Sequence, residues 1–376
     1  MKKCLLYGNC QVEPIKRCLE ANPIFRSTYE TLQLECFWLT QEDVPRLEGC
    51  VQSIDLFIHQ PISDNYKGIY QLSTRHLKSL LRPGSIAISI PVAYFTGYNP
   101  EMVYLKDKDG NKVDGPFLLH DANILKLYAQ GKTVQETMIA IQDDNFYPAN
   151  YVLTNFKRTL SELQRREADI DIKISDFIKR NYQSFRLFHT INHPGSLVIA
   201  AITKAILDMI GIPPNRESLT SFCNSEVLDV LYFPIYPAIA KGLGLSFLSK
   251  PDYYFETFFR PQQAVELFFS FYDQNPDVVA YNLPLLPNVS QSETATEMNV
   301  DNCYRLLLGR EPDSEGKHYW MQRIGTEMID LEMMVKEFVG SPEFKLQHQT
   351  VDPSSMTDNR LEELVNHYCQ LIRANA

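Results

Sequence analysis

The chain has 376 residues, enough for two or three domains at about 150 residues each. Hydrophobic residues make up 44% and charged residues 22%, with 16 glycines and 22 prolines, which excludes a disordered chain, a collagen-like repeat and a small disulfide scaffold. A net charge of -10 argues against general attraction to nucleic acid or anionic lipid and leaves room only for a local basic pocket.

Residues 3–7 form an apolar run that predicts a buried strand. The start Met1-Lys2-Lys3 has the charge of a signal n-region, but the apolar run behind it is far shorter than the roughly 7 to 15 residues of an h-region, so a cytoplasmic protein is expected. Gly8-Asn9-Cys10-Gln11 then turns the chain, and Ile15, Cys18 and Leu19 recur at helical spacing before the stop at Asn22-Pro23. After a segment long enough for a helical crossover, residues 54–58 read as a second strand ending in His59-Gln60-Pro61. Residues 70–81 carry helical spacing, Arg82-Pro83-Gly84 signals a turn, and residues 86–90 read as a third strand ending in Pro91. Alternating strand and helix implies a parallel α/β sheet flanked by helices.

Residues 106–111 predict a hairpin tip or surface loop. The segment Phe117-Leu118-Leu119-His120-Asp121-Ala122-Asn123 comes next, and residues 133–142 and 151–180 read as helices, the second long and charged. Residues 185–188 precede His189-Thr190-Ile191-Asn192-His193-Pro194, and residues 197–210 read as an amphipathic helix with Pro194 in its first turn. The longest apolar stretch, 196–212, is broken by Lys204 and Asp208 and falls short of the roughly 20 residues of a membrane span. Residues 222–271 are aromatic and Pro-rich, and their pattern predicts no topology. The expected organisation is an α/β domain over 1–285, a linker over 286–300 where apolar residues thin out, and a small all-helical domain over 301–376.

Eight cysteines lie at 4, 10, 18, 36, 50, 223, 303 and 369, without a CxxC pair or a Cys/His cluster at zinc spacing, so free thiols and no metal are expected. Cys10 stands apart, because it follows a strand and opens a helix. Such a position favours the thiolate, and backbone N–H groups at the turn could hold an oxyanion; the alternative is a buried structural turn. Three polar clusters, His59-Gln60, His120-Asp121-Asn123 and His189-Asn192-His193, also stand where strands or apolar runs stop, the rim where ligands bind in open parallel sheets. His193, beside Pro194 at a helix start, is expected to stay neutral and serve as general base. Each histidine read alone is better explained as a satisfied core or surface imidazole, and only the coincidence of the clusters points to a site.

Taken together, Leu5-Leu6-Tyr7-Gly8-Asn9-Cys10-Gln11, Asp55 with His59-Gln60-Pro61-Ile62, His120-Asp121-Ala122-Asn123 and Thr190-Ile191-Asn192-His193-Pro194 resemble the WcbI-type acetyltransferases of capsular polysaccharide biosynthesis over residues 1 to 285. The resemblance implies a fold akin to the SGNH hydrolases, coenzyme A binding and O-acetylation of a sugar. By position Cys10 takes the place of the SGNH nucleophilic serine, and His193 resembles the catalytic histidine. Those hydrolases usually carry Asp three residues before the histidine, where this chain has Thr190, so Asp121 is the candidate orienting carboxylate unless a Cys-His dyad suffices.

The resemblance and the residues together imply a CoA-dependent O-acyltransferase with acetyl-CoA and a carbohydrate acceptor as partners, and no nucleic acid. Catalysis is assigned to Cys10, His193 and Asp121. Gly8, Asn9, Gln11, Gln60, His120 and Asn192 are the expected oxyanion and substrate positions, and Gly8, Cys10, Gln11, His59 and Asn123 the expected coenzyme A contacts. Residues 232–259 either line an acceptor groove by stacking on sugar faces or pack as core. A thioesterase or carbohydrate esterase with the same dyad, and a non-catalytic CoA- or glycan-binding adaptor, are the alternatives.

Near the C-terminus, Tyr304-Arg305-Leu306-Leu307-Leu308-Gly309-Arg310-Glu311-Pro312-Asp313, Gly316, Tyr319-Trp320 and Phe338-Val339-Gly340-Ser341-Pro342-Glu343-Phe344 resemble a small helical domain of unknown function, distantly similar to phycobilisome linker domains. Through it the chain could contact protein or glycan. Trp320, Phe338 and Phe344 read as core, and Asp313 with Glu315 as a capped turn rather than a cation site.

Overall fold

A computed structural model of the chain describes residues 1–286, 289–327, 331–348 and 358–374. They fall into two units, 1–146 with 158–285, and 147–157 with 286–376. The expected linker 286–300 includes residues 287 and 288, outside the described residues, and from Val289 the chain is helical.

In the first unit, β1 (Lys2–Gly8) is buried from Cys4 onward, as a strand must be when neighbours cover both edges and helices both faces. It is followed by α1 (Val12–Glu20), β2 (Tyr29–Glu35), β3 (Leu56–His59) and β4 (Ile86–Ser89). The sheet order is β2-β1-β3-β4, parallel throughout, with Gly8 opposite Glu35, Tyr7 opposite His59, and His59 opposite Ser89. Leu5, Tyr7 and Phe57 pack with Leu47 and Val51 of the helix Val44–Ser53. By alternation Cys4 and Leu6 face the other layer, where α1 packs against the helix Ser196–Met209. Each fully buried Leu, Ile or Phe here contributes about 1.5–3 kcal/mol.

Three of the four strands lie where the sequence pattern puts them. The fourth, β2, runs through the segment expected to be only a crossover. It is an edge strand of sequence Tyr-Glu-Thr-Leu-Gln-Leu-Glu, and its half-exposed residues carry no apolar run.

The expected long helix over 151–180 is two helices, Ala149–Arg166 and Ser175–Asn181. Two carboxylates account for the break. Glu167 accepts from the N–H groups of Ile174 and Ser175, 2.8 and 3.2 Å. Asp171 accepts from Ser89 N at 2.8 Å and Ser89 Oγ at 2.6 Å, at the end of β4. Pro194 is likewise not in the first turn of its helix. His193–Pro194 pairs antiparallel with Phe188–Thr190, Gly195 is the N-cap, and the helix begins at Ser196.

The aromatic segment folds as an antiparallel sheet of Leu231–Tyr232, Tyr253–Phe255 and Thr257–Phe259, beside the helix Pro261–Gln274. Phe117 is its hub, with ring centroids of Phe259, Phe268 and Tyr253 at 5.3, 5.4 and 5.5 Å. This part of the aromatic segment is core. Residues 106–111 form the predicted hairpin, Leu105–Lys106 pairing with Lys112–Val113.

In the second unit Val300, Leu307, Trp320, Phe338, Phe344 and Ile372 share one core, with Trp320 stacked on Phe338 at 4.9 Å. Gly309 closes the helix Val289–Leu308 at φ +62, the left-handed backbone glycine adopts freely. Asp313 Oδ1 accepts from Gly316 N at 2.7 Å, so it caps the helix Ser314–Glu327. Among the described residues, no helix is long and apolar enough to cross a membrane.

Candidate active site

The site is built at the carboxyl end of β1, where the chain must leave the sheet centre within two residues. A Cβ at position 8 would overlap Gln60 Oε1 and fall 2.9 Å from Val12 Cγ1, so only glycine lets Gln60 close over the turn. Asn9 shapes the turn with three hydrogen bonds. Its N–H donates to Gln60 Oε1 at 2.7 Å, its Oδ1 accepts from Gln11 N at 3.0 Å, and its carbonyl accepts from Val12 N at 3.1 Å.

Gln11 and Gln60 are both completely buried, and each amide is matched. Gln11 Nε2 donates to the carbonyls of Ala93 and Asn192 at 2.8 and 3.0 Å. Its Oε1 accepts from Ala93 N at 3.0 Å and Gln60 Nε2 at 3.2 Å, and Gln60 Nε2 also reaches the carbonyl of Pro91 at 3.2 Å. Buried amides demand this complete pairing. Four separated segments are thereby fixed around Cys10, so Gln11 and Gln60 are positioning residues, not the free oxyanion donors expected of them. The donors left to meet a ligand at the turn are Asn9 Nδ2 and the Cys10 N–H, the latter facing the Cys10 thiol.

Cys10 is half-buried, and its thiol is pushed up to about 11, first by burial, then by Glu35, against the opposing pull of its own backbone N–H. The thiolate-favouring helix start expected there is outweighed. Glu35 closes β2 opposite Gly8, and no motif marked it. Tyr104 is a second residue the sequence did not reveal. Its hydroxyl is raised by burial and by Tyr94 and Cys10, and Asn192 Nδ2 lies 3.5 Å from it.

His193 is held neutral, lowered to about 4 by burial and then by His189, and its Nδ1 has no hydrogen-bond partner. Thr190, standing where an orienting Asp was sought, donates to Asn192 Oδ1 at 3.1 Å. Among the described residues no hydrogen bond joins Cys10 to His193.

The other expected residues sit elsewhere. Asp121 is buried as the N-cap of the helix Ala122–Ala129, accepting from Asn123 N and Ile124 N at 2.8 and 3.1 Å and from Tyr236 Oη at 2.6 Å. Its carboxyl is raised to about 6 by burial, and among the described residues no hydrogen bond leads from it to His193. His120 packs against Phe271 at 5.1 Å and bonds the Val113 carbonyl at 3.1 Å. Asn123 is buried beside Asp121. Neither meets the Cys10 turn through a hydrogen bond among the described residues. His59, alternating with Gln60, faces the opposite side of β3, 4.9 Å from the Phe57 ring, so it does not join the turn as a coenzyme contact.

Two further hollows flank this region. One, of about 370 Å³, is lined by Tyr94, Arg158, Glu162 and Arg166, with the Arg166 guanidinium 5.6 Å above the Tyr94 ring. The other, of about 490 Å³, lies beside His189.

No curated protein matches the chain. One solved structure that does is of WcbI, described as a novel polysaccharide biosynthesis enzyme, in a native form without a disulfide between coenzyme A and one of its cysteines. The TM-score is 0.59 at 23% identity, covering 75% of this chain and 98% of that one, a likeness in fold. Residues 287–348 match a domain of unknown function, DUF4214, and residues 3–215, more than half of the chain, match the model of the polysaccharide biosynthesis enzyme WcbI. With a sheet whose central strand ends in this clasped cysteine turn, the chain belongs to the WcbI family of polysaccharide biosynthesis enzymes.

Proposed function

We propose that the protein is a coenzyme A-dependent O-acyltransferase, acetyl the expected group, that acts on a sugar or polysaccharide precursor in the cytoplasm. Residues 1–285 carry the chemistry and the helical domain is a separate module. The observation that carries this reading is the turn itself. Around it the Gln11 and Gln60 amides are engaged with one another and with backbone, while the Cys10 thiol meets only its own N–H and Asn9 Nδ2 is turned to no protein acceptor among the described residues. A solved relative whose description names coenzyme A and one of its own cysteines, without a disulfide between them, supports placing the thioester at Cys10. The hollow of Tyr94, Arg158, Glu162 and Arg166 suits the nucleotide end of coenzyme A, with an aromatic wall and guanidinium groups that match phosphate oxygens, although Glu162 already accepts from Arg166 Nε at 2.6 Å.

Acetyl-CoA supplies the acyl group activated as a thioester. Cys10 is protonated at neutral pH, so attack by its sulfur requires a base at the moment of reaction. His193 can take that role through the unpartnered Nδ1 once ligand binding brings the groups together. The bond from the acyl carbon to Cys10 Sγ then forms as its bond to the coenzyme A sulfur breaks, His193 passing the thiol proton to that departing sulfur; the acceptor oxygen next displaces Cys10, its proton passing through His193 to Sγ. Asn9 Nδ2 and the Cys10 N–H stand as the oxyanion donors.

The raised thiol favours a second route, in which Cys10 holds coenzyme A in place and His193 deprotonates the acceptor hydroxyl for direct attack on the thioester. One experiment separates them. Calorimetric titration of the wild-type chain and Cys10→Ala with coenzyme A, together with intact mass after acetyl-CoA, gives saturable binding and a 42 Da adduct (roughly one acetyl group) if the covalent route holds. Binding without the adduct, and transfer surviving in Cys10→Ala, selects direct attack. No binding by either protein sinks the reading.

A further inference from the structure

The hollow beside His189 has no part in the chemistry above. Its volume of about 490 Å³ lies within the roughly 300–1,000 Å³ of small-molecule sites. Arg186 forms its floor and is already engaged. Its guanidinium donates to the carbonyls of Phe188, His189 and Phe233 and to Ser249 Oγ and Tyr232 Oη, while lying 3.7 Å over the Tyr232 ring. Those partners are carbonyls and hydroxyls, which leave its charge in place, so Arg186 and Lys250 offset Glu226 and Asp229 in the lining. That balance gives a polyanion such as coenzyme A no net attraction.

An uncharged polyol is favoured by it. Tyr254 and Phe258 form an aromatic wall, ring centroids 4.8 Å apart, with Phe258 61% exposed, and such faces stack on the C–H side of a sugar ring. Opposite, His189 Nε2 is buried without a hydrogen-bond partner. Glu226 Oε2 stands 3.8 Å away, too far for a direct bond and spaced for a bridging hydroxyl. Among the described residues, two of the four non-glycine positions with positive φ stand next to its lining without joining it, Leu228 between Glu226 and Asp229 (φ 53) and Glu256 between Tyr254 and Phe258 (φ 59). Strain of this kind collects at binding sites. The hairpin Phe188–Pro194 also connects the hollow to the Cys10 turn, since His189 lines the one and Asn192 O accepts from Gln11 in the other.

We propose that this hollow binds an uncharged pyranose, stacked on Tyr254 and Phe258 and held through its hydroxyls by His189, Glu226 and Asp229. That the bound sugar is the acyl acceptor rests on the acyl-transfer reading; that it is a sugar does not. The test is saturation-transfer NMR on the full chain with a panel of neutral methyl pyranosides and their disaccharides, repeated on Phe258→Ala and Asp229→Asn, both at exposed positions, with coenzyme A titrated into the same preparations. The expected result is transfer to at least one sugar, about tenfold weaker affinity in each variant, and unchanged coenzyme A binding. No transfer to any sugar of the panel, equal affinity in the variants, or coenzyme A affinity that falls with them overturns the assignment. Sugar binding by a chain that ignores coenzyme A supports the hollow and sinks the acyltransferase instead.

Discussion

The Gln60 side-chain amide donates to Gln11 Oε1 at 3.2 Å, so two residues 49 positions apart form one buried polar unit next to Cys10. In Gln11→Ala the Ala93 N–H, the Ala93 and Asn192 carbonyls and Gln60 Nε2 all lose a partner. At about 1–3 kcal/mol for each polar group left buried and unsatisfied, the variant should lose several kcal/mol in urea unfolding. A loss under about 1 kcal/mol would mean that water replaces the clasp.

Gly8→Ala tests the same close approach from the other side. The new methyl must displace Gln60 or Val12, an overpacking that costs about 1–3 kcal/mol, and with Gln60 moves the hydrogen bond that fixes Asn9. A lowered melting temperature together with weakened coenzyme A binding is expected. Weakened stability with full binding would show that the turn tolerates the shift.

Cys10 should alkylate slowly at pH 7. With its pKa near 11, its thiolate population is so small that iodoacetamide modification should run roughly a hundredfold slower than for an ordinary thiol. The rate should climb with pH toward that value without a plateau near 8. A plateau there, read by peptide mass spectrometry, would contradict the raised pKa.

His193 gives a pH prediction. Its folded pKa of about 4 lies below the ordinary 6.5, so between these values the unfolded chain binds a proton that the folded chain does not. Stability is therefore fully present above about pH 6.5 and is lost as the pH falls toward 4. His59, His120 and His189 are lowered in the same direction, whereas Asp121 and the raised Glu101 beside it act oppositely. Imidazole resonances followed by NMR should show His193 neutral down to about pH 4, and the acid limb of kcat/KM should lie there too. A limb near 6.5 would remove His193 from the role of base.

Asp121→Ala should act on stability alone. Loss of the cap on the helix Ala122–Ala129 costs about 1–2 kcal/mol, with kcat per folded molecule unchanged. Unchanged stability with a collapsed kcat would restore Asp121 as a partner of His193.

Burial decides which elements are legible in the sequence. β1 and β3 are visible because their continuous apolar runs are covered on both faces, and β4, though an edge strand with Ile86 exposed, keeps an apolar run, whereas the edge strand β2 mixes in Glu30, Gln33 and Glu35. Gly8 and Cys10 are legible as a turn after a strand. The work of Gln11 and Gln60 is not, because a buried glutamine reads like an exposed one until its partners at 93 and 192 are in place. His120-Asp121-Asn123 misleads for a related reason, since a polar cluster after an apolar run is also how a helix is capped. Glu35 and Tyr104 reach Cys10 through register and loop path, which no local motif encodes.

The Gln11–Asn192 hydrogen bond spans 181 positions, nearly half the chain. During synthesis α1 can form early, but the turn that carries Cys10 stays without its clasp until residue 192 has left the ribosome, and contacts of such sequence separation close late. A nascent chain or a fragment ending before that residue therefore holds the whole four-stranded sheet and still lacks a formed site. Acquisition of function is thereby deferred until the hairpin Phe188–Pro194 has docked.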